Sequence, residues 1–500
     1  MVVLDGRALG KPRDEAEAVE MLLSLQGKTH VVMTGVWICS PDKCGGFVDA
    51  AEVTFYPMTR EEALEQEFKR WMASPERAEM LDAGRYYAGK NDILQRERSG
   101  YGLADCRIPH NFVRELVDQK VQYLLGKPFC VLAGGEYGAL LRKIFDRQFA
   151  RTLKNAVRDA VNKGIGWLHP YYDGEGRFRV ARVPPEELLP LWEDGEHTRL
   201  SGALRAVTVE EWQGKTRRET LHLRSWEGSG VYSYRMEEGR LLPEGSAQPD
   251  VRAVWGDRSV PLNWARAPFI PIKYNDGEIP LLRFIRALVD DYDRIKSDDS
   301  NALADQSSSI LVLRNYDGEN LAEFRRNLAA HRAVKVSDDG AVTALQTPVN
   351  TTAAQAHLEM DRADIFEFGR GVDMRIDRLK NTASGVALRH EYADLDLDCN
   401  GLETELQAAM EELLWFVQAH FLNAGLGDFR GEPVEFVFPR DVIVNEEMMV
   451  DLCVKSVGMV SRRTLLANHP FTRDVDGELE ELRREAAEQA GGLGGGTTAG

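Results

Sequence analysis

The sequence lacks the features of a membrane, secreted or disulfide-rich protein. No run of about eighteen or more apolar residues is present, and the N-terminal MVVLDGRALGKPRDE has neither the basic nor the apolar region of a signal peptide. We therefore expect a protein that stays in the cytoplasm where it is made. Six cysteines in 500 residues are too few and too scattered for a disulfide framework. Reduced thiols are expected at Cys39, Cys44, Cys106, Cys130, Cys399 and Cys453.

The sequence also has few of the residue groups that carry catalysis or tight DNA binding. Beyond residue 61, no His/Asp/Ser group, zinc-ligand pattern or phosphate-binding loop stands out. The formal net charge is -18, whereas affinity for phosphates requires an excess of lysine and arginine. Tight, sequence-specific DNA binding is not expected, although an acidic wall would let a duplex slide past. Solubility explains an acidic surface as well.

What is present at the N-terminus predicts a helix followed by a β-hairpin. KTHVVMTGVWICS and FVDAAEVTFYPM are rich in β-branched and aromatic residues and flank the turn PDKCGG. Such a fragment buries too little surface to fold alone, and its unpaired edge is an aggregation hazard. Cys39 and Cys44 could be half a metal site, but two loop thiols are favoured without a second Cys/His pair. The helix is predicted over 14–26 from the spacing of Ala18, Met21, Leu22 and Leu25.

VVLDGRALGKPRDEAEAVEMLLSLQGKTHVVMTGV and EVTFYPMTREE carry a first resemblance. Residues 2 to about 62 are similar to the middle of a Maf-type nucleoside-triphosphate pyrophosphatase. Of that family's site only Lys11 carries over, because the phosphate loop, the acidic residue and the later Gln/Gly segment are missing. Lys11 is equally explained as part of a strand-capping Gly-Lys-Pro turn. The resemblance therefore implies a truncated fragment without dTTP or UTP hydrolysis, since the missing groups supply most of the rate.

From residue 61 onward the pattern predicts an α+β fold that is mainly helical. Helices are predicted within 61–96, where Gly89 and Asn91 break the pattern, within 107–131 and over 136–162. Strands follow around the Asp173-Gly174 turn, and an antiparallel β region at 200–275. Each of the first two helices is expected to bury one apolar face. These faces consist of Leu64, Phe68, Trp71 and Met72, and of Phe112, Leu116, Val117, the Lys120 stem, Tyr123 and Leu124.

Two long helices are predicted on either side of a small α/β insert, so that they lie side by side with the insert at their tip. A third helix of about forty residues should follow the polar loop MRIDRLKNTASG. A short strand and two or three helices come next. The Gly-rich end of the chain is expected to be disordered.

Four segments in order carry a second resemblance: YYAGKNDI, NFVRELVDQKVQYLLGKPF, NTASGVALRHEYADLDL and FPRDVIVNEEMMVDLCVKSVGMVSRRTLL. Over about residues 62–490 the chain is similar to portal proteins of long-tailed bacteriophages. This implies a ring of about a dozen subunits at one capsid vertex of the virion, assembled in the host cytoplasm, without cofactor, metal or membrane. The implied partners are the terminase large subunit, a head–tail adaptor, capsid and scaffolding proteins, and weakly bound double-stranded DNA.

The second resemblance also implies a division of the chain and a DNA-facing loop. Arg375, Arg378, Lys380 and Asn381 in that loop are candidates for transient phosphate contact, and a solvated cluster at a helix end explains them equally well. An enzyme with a long extension and a different oligomeric scaffold remain the alternatives. The implied regions are 1–61 Maf-like fragment, 62–278 wing, 279–307 stem, 308–350 clip, 351–373 stem, 374–385 tunnel loop, 386–430 long wing helix, 431–487 crown and 488–500 disordered tail.

Overall fold

The computed structural model describes most of the chain. The described residues are 2–4, 7–9, 25, 27–39, 44–54, 59–97, 104–213, 215–255, 258–305, 310–314, 320, 322, 324, 326, 330, 339–345, 351–375, 392–440, 446–467, 469–472 and 475–492.

The described residues form a mixed α/β structure. The helices are α1 (Arg60–Met72), α2 (Pro75–Tyr87), α3 (Phe112–Leu125), α4 (Gly135–Ile144), α5 (Arg147–Lys163), α6 (Leu281–Asp305), α7 (Thr351–Phe368), α8 (Ala393–Asn423), α9 (Glu446–Lys455), α10 (Arg462–Ala467) and α11 (Val475–Gly492), with a 3-10 turn at Asp92–Gln95. The strands are β1 (Val2–Leu4), β2 (Arg7–Leu9), β3 (Thr29–Cys39), β4 (Cys44–Thr54), β5 (Cys130–Leu132), β6 (Ile165–Tyr172), β7 (Phe178–Val183), β8 (Leu188–Trp192), β9 (Leu200–Gln213), β10 (Thr216–Glu227), β11 (Gly230–Glu237), β12 (Arg240–Pro243), β13 (Val251–Trp255), β14 (Arg258–Leu262), β15 (Ile270–Lys273), β16 (Ile310–Arg314), β17 (Ala341–Leu345) and β18 (Glu435–Val437).

The first of two compact units comprises residues 1–78 and 187–268. It contains a four-stranded sheet of order β2-β1-β3-β4 and a five-stranded meander of order β12-β11-β10-β9-β8. Helix α1 begins with a capping box, in which Thr59 Oγ1 accepts from the Glu62 amide at 3.2 Å and Glu62 Oε2 accepts from the Thr59 amide at 2.9 Å. Its Phe68 and Trp71 are buried against the meander, where they pack with Leu204, Leu223 and Tyr234.

The second unit comprises residues 79–186 and 269–500, and its core surrounds α3. Helix α3 packs against α5, α6 and α8, and α5 covers the three-stranded sheet β15-β6-β7. Helix α3 is apolar around much of its circumference, because Phe112, Leu116, Val117, Tyr123 and Leu124 are all buried. Helices α6 and α7 pack against each other along their lengths.

Most predicted element types are confirmed. The hairpin is β3–β4, paired from Thr29↔Thr54 to Cys39↔Cys44, and β6–β7 flank the predicted turn at 173–174. The long paired helices are α6 and α7, with β16, β17 and helical residues between them. The helix predicted over 14–26 lies outside the described residues except for Leu25, which is helical and buried.

Several predicted boundaries are wrong. Residues 61–96 hold two helices because Ser74 caps a new one that starts at Pro75, and Met72 is exposed rather than buried. The helix predicted over 136–162 is broken at Asp146, whose carboxylate accepts from the Phe149 amide at 2.8 Å and starts α5. Helix α8 has 31 residues instead of about forty. The last helix continues to Gly492, beyond the predicted start of the disordered tail at 488.

Candidate functional site

Of the four candidate contact residues in the predicted DNA-facing loop, only Arg375 is described. Arg375 lies at the end of the described segment 351–375, whereas Arg378, Lys380 and Asn381 lie outside the described residues, as does Lys11. The described residues on both sides of 376–391 nevertheless define how this loop is attached. They are held by α3.

The segment that enters the loop is paired with the side chain of Gln119 on α3. The Gln119 amide group donates to the Val372 carbonyl at 2.9 Å and accepts from the Val372 amide at 2.8 Å. Both backbone groups of Val372 are thereby satisfied as they would be by a neighbouring strand. Gly369 and Gly371 permit the approach, because a Cβ at either would lie 2.6 or 2.1 Å from a methyl carbon of Leu116 on α3.

One helical turn beyond Leu116, α3 carries a buried ammonium group. Lys120 is fully buried, and its Nζ lies 2.7 Å from Asp398 Oδ2 of α8 and 2.9 Å from the Arg370 carbonyl. Burial lowers the pKa of Lys120, and the Asp398 carboxylate opposes that shift. Asp398 also accepts from the Tyr274 hydroxyl at 2.8 Å. Lys120 therefore joins α3, α8 and the start of the loop through hydrogen bonds shielded from water.

A second buried ion pair fixes the last described residues before the loop. Arg362 of α7 donates two hydrogen bonds to Asp373, at 2.9 and 2.7 Å, and Arg375 Nε donates to the same carboxylate at 2.8 Å. Burial raises the pKa of Asp373, but the two guanidinium groups outweigh it and the pKa lies below its usual value. The positive charge of Arg375 is thus directed at Asp373, although its side chain is about half exposed.

The described residues after the loop return to the same face of α3. Tyr392 stacks on Tyr123 with ring centroids 6.1 Å apart, and both pack with Val372, Leu395 and Cys399. Both flanks of residues 376–391 therefore rest on the last two turns of α3. An insertion anchored in this way has fixed ends, whatever lies between them.

A further polar arrangement lies along α6, where four side chains hold an extended segment of the chain. The acceptors recur every four residues on the helix, and the donors are the amides of every second residue in 104–110. Asp293, Ser297 and Asn301 are almost wholly buried by this segment. The four hydrogen bonds run from Ala104 N to Asp305 Oδ1 at 2.9 Å, from Cys106 N to Asn301 Oδ1 at 2.7 Å, from Ile108 N to Ser297 Oγ at 3.1 Å and from His110 N to Asp293 Oδ1 at 2.9 Å.

The geometry of the two backbones explains this ladder. Two residues of extended chain span about 6.6 Å, and four residues of α-helix span about 6.0 Å. The two repeats nearly coincide, so four successive hydrogen bonds can form. The segment runs antiparallel to α6, because its partners move from Asp305 back to Asp293 as the chain advances from Ala104 to His110. The amides of this segment find partners without a neighbouring strand.

Sequence reasoning missed these polar groups because it looked for apolar periodicity. The apolar pattern predicts burial of only the aliphatic stem of Lys120, and it gives no role to Asp293, Ser297, Asn301 and Asp305. The signal was available, since four short polar residues at intervals of four mark one stripe of a helix. Nothing in the local sequence indicates the partner of Lys120, which lies 278 residues away at Asp398.

Four of the cysteines have side chains that the structure describes. Cys106, Cys130, Cys399 and Cys453 are free thiols. Cys39 and Cys44 end β3 and begin β4 as directly paired positions, so the expectation of loop residues is corrected. No helix among the described residues combines the length and apolarity needed to cross a bilayer.

Comparison with known proteins assigns the N-terminal part first. The family described as Maf-like protein matches residues 1–89. A dTTP/UTP pyrophosphatase of Bacillus cereus (strain AH187) is 41% identical over 118 residues, which cover 23% of this chain and 58% of the relative. The chain thus spans little more than half of that enzyme. The match extends past the predicted boundary at residue 61.

The larger part of the chain matches a different family. The family described as phage portal protein, SPP1 Gp6-like, matches residues 74–492. The portal protein of Bacillus phage SPP1 is 31% identical over 83% of this chain and 85% of its own length, and that of Clostridium phage phiCD119 is 28% identical over 82% and 92%. Similarity over this range indicates a structural rather than an enzymatic role. The chain belongs to the phage portal protein family, with a Maf-like segment at its N-terminus.

Proposed function

We propose that the protein forms a homo-oligomeric ring at one capsid vertex, through which DNA enters and leaves the virion. The observation that carries this proposal is the family match over 74–492, which includes α3, the paired helices α6 and α7, and the flanks of residues 376–391. In this proposal 279–307 and 351–373 are the stem, 308–350 the clip and 374–385 the tunnel loop. The wing comprises 62–278 and 386–430, and the crown 431–487. The proposed partners are the terminase large subunit, a head–tail adaptor, capsid and scaffolding proteins, and double-stranded DNA.

The attachment of the loop supports a contact with DNA that is weak and confined. A loop with both ends fixed on α3 can touch a moving duplex without displacing the wall behind it. Arg375 is directed at Asp373, a carboxylate that it shares with Arg362, so the other charged candidates of the proposed loop are Arg378 and Lys380, with Asn381 as a neutral donor. Two cations per subunit give modest phosphate affinity on a surface whose net charge is negative.

The test of ring formation is to purify the full chain and examine it by light scattering and negative-stain microscopy. Rings of uniform diameter are expected, together with no release of pyrophosphate from dTTP or UTP. Monomers that hydrolyse either nucleotide would contradict the proposal and favour the truncated pyrophosphatase.

The test of the loop uses Arg378→Ala with Lys380→Ala in an in-vitro DNA packaging reaction. Rings should still form, and the rate of packaging and its salt dependence should change. The matched control is Arg430→Ala, an arginine on the surface of the same unit paired locally with Asp428. Equal packaging by the loop variant and the control would remove the loop from the DNA path.

A further inference from the structure

Three metal-ligating side chains meet where α6 and α7 pack against each other. His357 and Asp361 are one turn apart on α7, and Asp291 is on α6. One ligand atom of each residue lies within 4.8 Å of the other two. The three residues come from two helices, so the packing of α6 against α7 brings them together.

The distances between the ligand atoms fit a shared cation. His357 Nε2 lies 3.2 Å from Asp291 Oδ2 and 3.7 Å from Asp361 Oδ1. Ligand atoms that are each about 2.0–2.2 Å from one metal ion are about 3–4 Å from one another. A single Nε2 hydrogen can satisfy the nearer carboxylate but not both.

The second carboxylate carries an unsatisfied oxygen, which is the observation that points to a ligand. Asp361 is only 6% exposed, and its buried Oδ2 accepts no hydrogen bond from the part of the chain that the structure describes. Burial raises the pKa of Asp361, His357 opposes this, and the nearby carboxylates of Asp291 and Asp364 raise it further. A buried acceptor without a partner is costly, and a cation that binds both oxygens of Asp361 would satisfy it, since Oδ1 is the oxygen that faces His357.

A neighbouring arginine orients one of the carboxylates. Arg294 donates to Asp291 Oδ1, which leaves Oδ2 facing His357. Groups of this kind, which hold a ligand without touching the metal, are usual around protein metal sites. Arg294 contributes one positive charge against the two carboxylates of Asp291 and Asp361, so these three side chains are net negative.

We propose that Asp291, His357 and Asp361 bind a divalent transition-metal cation that links α6 to α7. One imidazole and two carboxylates form a ligand set suited to zinc-like ions, and three protein ligands leave a further position for water. Such an ion would brace the two helices on either side of residues 306–350. The inference does not depend on the proposed ring or on DNA passage.

The test measures zinc binding by the full-length protein. Protein stripped with a chelator is titrated with Zn²⁺ in competition with a chromophoric chelator, and its metal content is determined after dialysis. His357→Ala should lose about one zinc equivalent per chain, and Arg294→Gln should weaken binding about tenfold. The matched control is Asp364→Asn, which removes a carboxylate from the same helix without removing a proposed ligand and should retain the zinc.

Two further measurements make the result decisive. The visible spectrum of the Co²⁺-substituted protein should change in both His357→Ala and Asp361→Asn, while far-UV circular dichroism in chelator shows both variants folded. Half of the His357 side chain is exposed, so its removal should not disturb packing. Equal zinc content in His357→Ala and the parent, or displacement of Zn²⁺ by an equal concentration of Mg²⁺, would overturn the proposal.

Discussion

The N-terminal sheet and the core around α3 are built from similar residue types but differ in what covers them. Every residue of β4 from Gly45 to Thr54 is exposed, and Phe47 and Val48 are 61% and 66% exposed. In the second unit, Leu116 and Phe416 are completely buried. Eleven paired positions hold β3 and β4 together, yet the second strand buries none of its described side chains.

The difference teaches that strand pairing alone does not make a domain. Hydrogen bonds between strands replace hydrogen bonds to water and contribute little net free energy, whereas apolar burial supplies most of the stability. Strand pairing is therefore compatible here with apolar side chains that face solvent.

The sharpest test of this contrast replaces one phenylalanine in each region. Phe416→Ala leaves a cavity beneath α8 and should lower the free energy of unfolding of the second unit by about 3–5 kcal/mol. Phe47→Ala should change the measured free energy of unfolding by less than about 0.5 kcal/mol. Urea unfolding followed by circular dichroism measures both. Equal losses would show that the sheet shares the stability of the core.

The buried ammonium group offers a second test of the core. Lys120→Met removes the nearest cation from Asp398, which keeps only the Arg370 guanidinium at 3.6 Å and the Tyr274 hydroxyl, and should cost about 3 kcal/mol. Lys120→Met with Asp398→Asn should recover part of that loss, because the remaining charge is then removed. Lys127→Met, at an exposed position just beyond α3, is the control and should be nearly neutral. A neutral effect of Lys120→Met in the same urea titration would contradict the role given to this pair.

The ladder on α6 predicts smaller losses. Asn301→Ala leaves the Cys106 amide without its acceptor and should cost about 1–3 kcal/mol. Hydrogen exchange at residues 104–110 should accelerate in this variant and stay unchanged in Asp299→Asn, a substitution on the same helix outside the four rungs. Unchanged exchange in Asn301→Ala would remove that rung from the stabilising contacts.

The buried imidazole of His420 should make the stability of the second unit depend on pH. Burial lowers the pKa of His420 to about 4, and its Nδ1 lies 2.8 Å from the Tyr172 hydroxyl. The unfolded chain takes up the proton first as pH falls, so stability is complete above about 6.5 and decreases toward pH 4. His420→Gln should flatten this decrease in unfolding titrations between those values, whereas His469→Gln should preserve it.

The smallest effect is expected from removing residues 1–58. A chain that starts at Thr59 keeps the capping box of α1, and the unfolding midpoint of the second unit should not change measurably. Solubility should increase because the exposed edge strand β4 is removed. Terminal peptide mass spectrometry of the natural protein would show whether residues 13–60 are translated or whether Met58 is the start. A large loss of stability on truncation would show that the N-terminal sheet contributes to the stability of the second unit.

Local patterns predicted much of this fold but not its long-range polar contacts. The apolar face of α3, the hairpin β3–β4 and the long pair α6 and α7 follow from periodicity. Ser74 and Asp146 start helices that apolar spacing alone had merged with the preceding ones. The partner of Lys120 was not predictable, because its buried ion pair with Asp398 depends on which distant segments pack together. The three loop residues Arg378, Lys380 and Asn381 stay predictions.

The ladder on α6 limits how the length of this region can change. Only every second amide of 104–110 faces the helix, so inserting or deleting one residue would turn the remaining donors away from Asp293, Ser297 or Asn301. A change of two residues instead shifts the segment by one helical turn, where the next polar side chain of the stripe can receive it. Among relatives that keep the stripe, length differences in this segment should therefore come in pairs.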